Sequence, residues 1–141
     1  MSTKKPVAIL VHEGYQDLQF WYPLLRLREE AVPVSVISAE PDKTYNSQLE
    51  YPVIPDFGIA QVQAKDFGAV IVPGGQSGKT IAEEPRMQRF IKDAAAGGAL
   101  LAAIAEGNTA LGAAGVSGPR VISARSTNEL PDFCRSLFAA L

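Results

Sequence analysis

Three short runs made only of apolar residues, at positions 7–11, 69–72 and 100–104, constrain the fold of this chain more than any other feature. A half-exposed strand alternates apolar with polar residues, whereas a strand covered on both faces is apolar throughout. Residues 34–38 and 121–122 have the composition of two further strands. Helical periodicity separates these runs, so we predict an α/β fold with a mostly parallel sheet between two layers of helices.

Four segments repeat their apolar residues at helical spacing. We predict helices over residues 17–30, 84–96, 106–114 and 130–141. Gly115 follows the third helix as its C-terminal cap, and Asn128 is the predicted N-cap of the last. Residues 51–55 contain two prolines, which exclude a central strand and indicate a short edge or hairpin strand.

Length and composition exclude several classes of protein. The 141 residues are 47% apolar and 20% charged, as is typical of one globular domain, which we predict over residues 1–141. The net charge is −2 and no basic block is present, so we expect no nucleic-acid partner. No apolar run approaches the roughly 20 residues of a bilayer span, and the run behind the N-terminus is too short for a signal peptide.

One cysteine and one histidine limit the redox and metal chemistry of the chain. A single cysteine cannot form an internal disulfide, which fits a reducing cytoplasm. A zinc site needs several such ligands, so we expect neither a metal nor a cofactor. Cys134 lies on the apolar stripe of the last predicted helix, and we interpret it as a core residue.

The order of strands and helices indicates where a site would lie. In an open parallel sheet, ligands bind beyond the carboxyl ends of the strands, where the winding of the chain reverses. The loops at residues 12–19, 74–79 and 105–108 follow three buried strands and should meet there.

Residues 74–80, with the sequence Gly-Gly-Gln-Ser-Gly-Lys-Thr, resemble a phosphate-binding loop. They miss its pattern by one position, because Pro73 stands where the first glycine belongs, so we do not predict nucleotide binding. The backbone amides of Gly74, Gly75 and Gln76 at a helix start can still hold an anion or a carbonyl oxygen.

Glu106 stands out because it follows an apolar strand and begins a predicted helix. Its carboxylate either stabilises a helix N-terminus, which contributes roughly 0.3–1 kcal/mol, or acts in the pocket as an acid–base or ligand-holding group. His12, at the end of the first strand, is likewise either structural or part of the site. The sequence leaves both pairs of alternatives open.

Four segments distributed over nearly the whole chain form a recognisable set. They are residues 14–23, the Asp-Phe-Gly-Ala-Val-Ile-Val-Pro-Gly-Gly of residues 66–75, the Ala-Ala-Ile-Ala-Glu-Gly of residues 102–107, and residues 129–135. In combination they resemble the DJ-1/PfpI (ThiJ/PfpI) superfamily. The resemblance implies a flavodoxin-like three-layer α/β/α sandwich that often forms a homodimer. It also implies a wide range of activities, among them proteases, glyoxalases, reported deglycases, isocyanide hydratases, chaperones and regulators.

The resemblance further implies a site with a cysteine nucleophile at a sharp turn after the fourth strand. Here that position is Ala105, and the family's histidine behind it is Glu106. A methyl group has no lone pair with which to attack a substrate. We therefore do not expect cysteine-dependent hydrolase, glyoxalase or protease activity.

The remaining site positions implied by the resemblance are only partly kept. The family's partner glutamate falls at Gln19 and a second acid at Gln16, and neither amide titrates in the usual range. The amides that form the family's oxyanion pocket correspond to Gly74 and Gly75, which do match.

The resemblance also implies a further segment of strands and loops before the closing helix. In this chain residues 120–125 run almost directly into residues 126–132. We therefore predict that a family segment between about residues 122 and 129 is deleted, which leaves the site more open.

Three hypotheses about function follow. The first is a cytoplasmic, non-catalytic pseudoenzyme that binds a small carbonyl or carboxylate ligand or a protein partner. The second is a cysteine-independent isomerase, hydratase or lyase in which Glu106, paired with His12, acts as acid and base and has a pKa raised by burial. The third is a homodimeric interaction module with Trp21 and Tyr22 at its contact face.

Overall fold

A six-stranded sheet, parallel throughout, forms the middle layer of the computed structural model, which describes residues 5–141. The strands are, in chain order, β1 (Val7–Leu10), β2 (Val34–Ser38), β3 (Tyr45–Asn46), β4 (Pro52–Val53), β5 (Phe57–Gly58), β6 (Ala69–Val72), β7 (Leu100–Ile104) and β8 (Val121–Ala124). Strands β3 and β4 pair as a separate antiparallel hairpin, and the others lie in the order β5-β2-β1-β6-β7-β8. The predicted α/β class and its parallel sheet are confirmed.

Helices cover both faces of the sheet. They are α1 (Asp17–Glu29), α2 (Gln76–Glu83), α3 (Pro85–Ala96), α4 (Gly107–Ala113) and α5 (Leu130–Ala140), with short 3-10 turns at Ile59–Gln61, Ala64–Asp66 and Thr127–Glu129. The four predicted helices are confirmed to within a residue or two at most ends. Only a helix start near residues 74–76 was expected here; the extent of α2 was not predicted, because its glycine-containing sequence indicates a loop.

The predicted N-cap of the last helix is wrong. Asn128 lies inside the 3-10 turn Thr127–Glu129, and Glu129 is the residue that precedes α5. The Glu129 carboxylate turns back and accepts a hydrogen bond from the amide of Arg125, at 2.9 Å. The 3-10 turn therefore contains the residue, Asn128, that was predicted to cap the helix.

Two apolar clusters lie on opposite faces of the sheet. Alternate residues of each strand contribute to each cluster, so Val7 and Ile9 pack beneath α1 and α5, while Ala8 and Leu10 pack beneath α3 and α4. All four side chains are fully buried. This explains the unbroken apolar runs in the sequence, since each strand has no exposed face.

The strand order places β1 in the middle, with β2 on one side and β6 on the other. The winding of the chain therefore reverses between β1 and β6, and the carboxyl ends of β1, β6 and β7 converge at one edge. The loops expected to form a site do meet at this edge.

Several sequence predictions concern features outside the sheet. The chain passes from β8 to α5 through residues 125–129, and the deletion of a family segment here stays a prediction. The prediction that no signal peptide is present also concerns residues 1–4, which lie outside the described residues. Within residues 5–141, no helix is both long and apolar enough to cross a bilayer. The same residues contain no cluster of three or more His, Cys, Asp or Glu side chains that could hold a metal.

Candidate functional site: a closed elbow between β7 and α4

The chain turns sharply at Ala105, between the end of β7 and the start of α4. Ala105 has a φ of +50°, in the left-handed region that residues with a Cβ rarely adopt. Its amide donates to the carbonyl of Ala124 at 2.9 Å, which ties the turn to the end of β8. A left-handed residue of this kind costs roughly 1–2 kcal/mol, and the surrounding structure holds it in place.

The amide of Gly74 donates a hydrogen bond to a side chain of the same chain. The acceptor is Oε1 of Gln19, at 2.9 Å, and Gln19 is only 4% exposed. A Cβ at position 74 would overlap this oxygen and would lie 2.7 Å from Oε1 of Glu106. Glycine at 74 is therefore favoured by the close approach of the Ile104 carbonyl, 2.8 Å from such a Cβ, as well as by these two side-chain oxygens.

The amide of Gly75 is also occupied. It donates to Oε1 of Glu106 at 2.8 Å, so the half-buried Glu106 side chain crosses from the start of α4 to the end of β6. Glu106 makes no side-chain cap on its own helix. Its carboxylate thus lies where a carbonyl oxygen of a ligand was expected to bind.

This contact favours the ionised form of Glu106. The hydrogen bond from the Gly75 amide lowers the pKa of the Glu106 carboxyl, and its own backbone amide and the nearby Lys79 act in the same direction. Partial burial opposes them without reversing the shift. The acid–base hypothesis expected a raised pKa for Glu106, and this expectation is wrong because the amides stabilise the ionised form more than burial destabilises it.

A chain of polar side chains links the elbow to the turn before α5. Nε2 of Gln19 donates to Oγ1 of Thr127 at 3.1 Å, and the Thr127 hydroxyl donates to Oε1 of Gln16 at 3.5 Å. The same Gln16 oxygen caps α1 by accepting from the amide of Gln19 at 2.9 Å. Gln19 therefore uses both ends of its side-chain amide, and a carboxylate could not donate to Thr127 in its place.

His12 lies apart from this network. Its Nδ1 accepts from the amide of Glu13 at 2.9 Å, and its ring meets that of Tyr45 edge-on at 5.2 Å. Burial, helped by Lys43, lowers the pKa of His12. Among the hydrogen bonds of residues 5–141, none joins His12 to Glu106, so the pairing that the second hypothesis expected is absent from the described residues.

The structure thus brings Gly74, Gly75, Gln19 and Glu106 together with Ala105, while Gln76 is exposed on α2.

Two residues of the site, Thr127 and Ser77, were not predicted from the sequence. Ser77 is fully buried and accepts from the amide of His12 at 2.8 Å. No sequence pattern identifies either hydroxyl, because each acts through a partner more than 60 residues away.

Two other residues considered in the sequence analysis, Gly78 and Cys134, have structural roles. Gly78, in the segment that resembles a phosphate-binding loop, lies against the backbone of Glu106, and a Cβ there would fall about 2.5 Å from the Glu106 carbonyl. Glycine is therefore needed at position 78 because α2 packs closely against the start of α4. Cys134 is 2% exposed in the core beneath α5, and burial raises the pKa of its thiol to about 11.

A parallel sheet that is covered by helices on both faces, and whose winding reverses between β1 and β6, defines a flavodoxin-like α/β protein. The sequence model of the DJ-1/PfpI family matches residues 5–124, so the chain belongs to the DJ-1/PfpI family. The match covers the sheet and the elbow and ends with β8.

Individual relatives agree with this assignment. An uncharacterized protein of Archaeoglobus fulgidus is 34% identical over 118 residues, which are 83% of this chain and 70% of that protein. A deglycase of Thermococcus kodakarensis is 31% identical over 110 residues, 78% of this chain and 66% of that protein. The chain thus spans about two thirds of the length of these relatives. Among solved structures, Drosophila melanogaster DJ-1beta has a TM-score of 0.90 at 19% identity, over 99% of this chain and 91% of that chain.

Proposed function

We propose that this chain is a non-catalytic DJ-1/PfpI protein that acts by binding rather than by covalent chemistry. The observation that carries the proposal is the state of the elbow. Ala105 occupies the turn with a methyl group, and the amides of Gly74 and Gly75 already donate to Gln19 and Glu106. The single-cysteine composition supports a cytoplasmic location, which a fluorescent fusion would test.

Oxyanion stabilisation requires donors that are free to meet developing charge. At this elbow a substrate oxygen would first have to displace the half-exposed Glu106 carboxylate from Gly75, a hydrogen bond that contributes roughly 1 kcal/mol. The elbow is better suited to holding β6, α1 and α4 together than to turning over a substrate.

An activity screen tests this proposal. We expect no turnover of methylglyoxal or of unfolded peptides by the protein, assayed beside a cysteine-containing family member as positive control. Turnover that is lost in a Glu106→Gln variant, and kept in Glu83→Gln, would instead establish the acid–base enzyme. Glu83 is a matched control because its exposed carboxylate makes no side-chain hydrogen bond among the described residues.

A second candidate function is a homodimeric interaction module, favoured by helix α1. This helix buries Phe20, Leu24 and Leu27 against the sheet, yet Leu18 and Leu25 on its other side are each more than half exposed. A helix that is apolar on both sides needs a cover on both.

The segment of the β3–β4 hairpin continues this outer side of α1. The amide of Leu49 donates to Asp17 at 3.3 Å, and the rings of Trp21 and Tyr51 meet at 5.4 Å. Leu49 is 79% exposed and Tyr51 57%. Together with Leu18 and Leu25 they form a set of exposed apolar side chains of the kind that a second copy of the chain could cover.

Sedimentation equilibrium tests the dimer. We expect a dimer at tens of micromolar, and a shift to monomer when Leu18 and Leu25 are both changed to lysine. Ala113→Lys, at an exposed apolar residue of α4 on the opposite face of the sheet, is the control and should leave the mass unchanged. A monomeric wild-type protein at these concentrations would overturn this candidate.

A further inference from the structure

A groove lies between helix α3 and the 3-10 turns Ile59–Gln61 and Ala64–Asp66. Its volume is about 630 Å³, within the range of small-molecule sites. The elbow residues do not line it, so its ligand chemistry is independent of the closed site.

The floor of this groove is apolar and rigid. It is formed by Ile59, Val62, Ala64 and Phe90, of which only Val62 is more than slightly exposed. Phe90 is fixed from below by Phe67, whose ring centroid lies 5.7 Å away. Such a floor favours a hydrocarbon or aromatic body over a sugar or a free phosphate.

The rim carries three cations, Lys65, Arg86 and Arg89, and one acid, Asp93. Arg86 is neutralised within the chain, because it forms ion pairs with Glu84 at 2.9 Å and with Glu40 at 3.3 Å. Among the described residues, neither Lys65 nor Arg89 forms an ion pair. Asp93 lies one turn beyond Arg89 on α3 but does not pair with it.

These two cations belong to a larger group of basic side chains that form no ion pair among the described residues, and what sets them apart is that both line this groove. Lys5 adds a further positive charge at the same place, since its Nζ donates to the carbonyl of Lys65 at 2.8 Å. The groove therefore combines an apolar floor with an excess of positive charge at its rim.

We propose that this groove binds a small organic monocarboxylate with an apolar body, an aliphatic or aromatic acid of about eight to ten carbons, which the groove is large enough to hold. The body lies over Phe90 and Val62, and the carboxylate lies between Lys65 and Arg89. A guanidinium can hold both oxygens of a carboxylate in a bidentate pair.

The experiment is an NMR titration of the full-length protein with sodium decanoate, kept below its micelle concentration. Decanol, which has the same chain without the charge, is the matched ligand. We expect decanoate to shift the amide resonances of Val62, Arg89 and Phe90, and to bind more tightly than decanol. We expect the double variant Lys65→Gln, Arg89→Gln to weaken decanoate binding roughly 3- to 10-fold without affecting decanol.

Lys92→Gln is the control, because Lys92 is exposed on the same helix but does not line the groove. It should leave decanoate binding unchanged. Absence of decanoate-induced shifts at these residues would overturn the proposal. So would equal affinity for decanol, or equal weakening by Lys92→Gln, because each would indicate an apolar surface or a general charge effect rather than a carboxylate site.

Discussion

Ala105 has a left-handed backbone conformation at the turn, although its methyl side chain carries no reactive group. Glycine adopts this conformation without steric cost, although it also loses more entropy on folding than alanine. We predict that Ala105→Gly raises the free energy of unfolding by about 0.5–1 kcal/mol. Urea denaturation measures the change.

The same substitution elsewhere provides the control for this prediction. Ala113 is the exposed last residue of α4, so Ala113→Gly should lower stability by about 0.5 kcal/mol, less than in a helix interior. If Ala105→Gly destabilised the protein as much as Ala113→Gly, the left-handed turn would not be strained.

Glu106 makes stability depend on pH at the acidic end. Its pKa is lower in the folded chain than its ordinary value, so its contribution is present above the ordinary carboxyl range and is lost as pH falls through the folded pKa. We predict that Glu106→Gln lowers stability by about 1 kcal/mol at pH 7, a figure reduced for the partial exposure of the carboxylate. Denaturation curves from pH 7 to pH 3 measure this difference, which should shrink below about pH 5. A difference that does not change with pH would contradict the Gly75–Glu106 contact.

At the scale of single elements, Glu84 joins two helices. It ends α2 and caps α3, accepting from the amides of Arg86 at 2.6 Å and Met87 at 3.1 Å. We predict that Glu84→Ala costs about 1 kcal/mol, and that Glu84→Ser recovers most of this loss because serine can also cap. Thermal denaturation compares the two variants with Glu83→Ala, which lacks these contacts and should change stability little.

The elements show which parts of the fold the sequence could predict. Strands such as β1 and β7 were predictable because burial on both faces leaves a local, unbroken apolar signature. Helix α2 was not, because Gly78 is set by its contact with the backbone of Glu106, and glycine alone indicates a loop.

The same distinction explains the site. The turn at Ala105 and the position of Glu106 follow from local sequence and from family resemblance. That Gln19 and Glu106 occupy the amides of Gly74 and Gly75 depends on distances between loops 55 and 31 residues apart. No pattern in one sequence encodes those distances.

At the scale of the whole molecule, Cys134 reports whether α5 belongs to the same cooperative unit as the sheet. Its thiol is buried and its pKa is raised to about 11, so it reacts only when the helix opens. We predict that a disulfide reagent at pH 8 labels the folded protein at least about a thousandfold more slowly than the urea-unfolded chain. Absorbance of the released thiolate measures the rate.

A control and a contrary outcome accompany this labelling experiment. Ser136→Cys places a thiol on the exposed side of the same helix, and it should label at close to the unfolded rate. Labelling of Cys134 only a few times slower than this control would mean that α5 detaches on its own, outside the part of the chain that the family model matches.

The hydrogen bond between Gln19 and Thr127 has a consequence for the order in which the chain folds. It joins residues 108 positions apart, and closing so long a loop is entropically costly before the sheet between them exists. We therefore expect the β-α units from β1 to β8 to assemble first, and this contact to form near the end of folding. A residue whose contacts form last acts on the rate of unfolding rather than on the rate of folding. We therefore expect the elbow network to slow unfolding while leaving the rate of folding nearly unchanged.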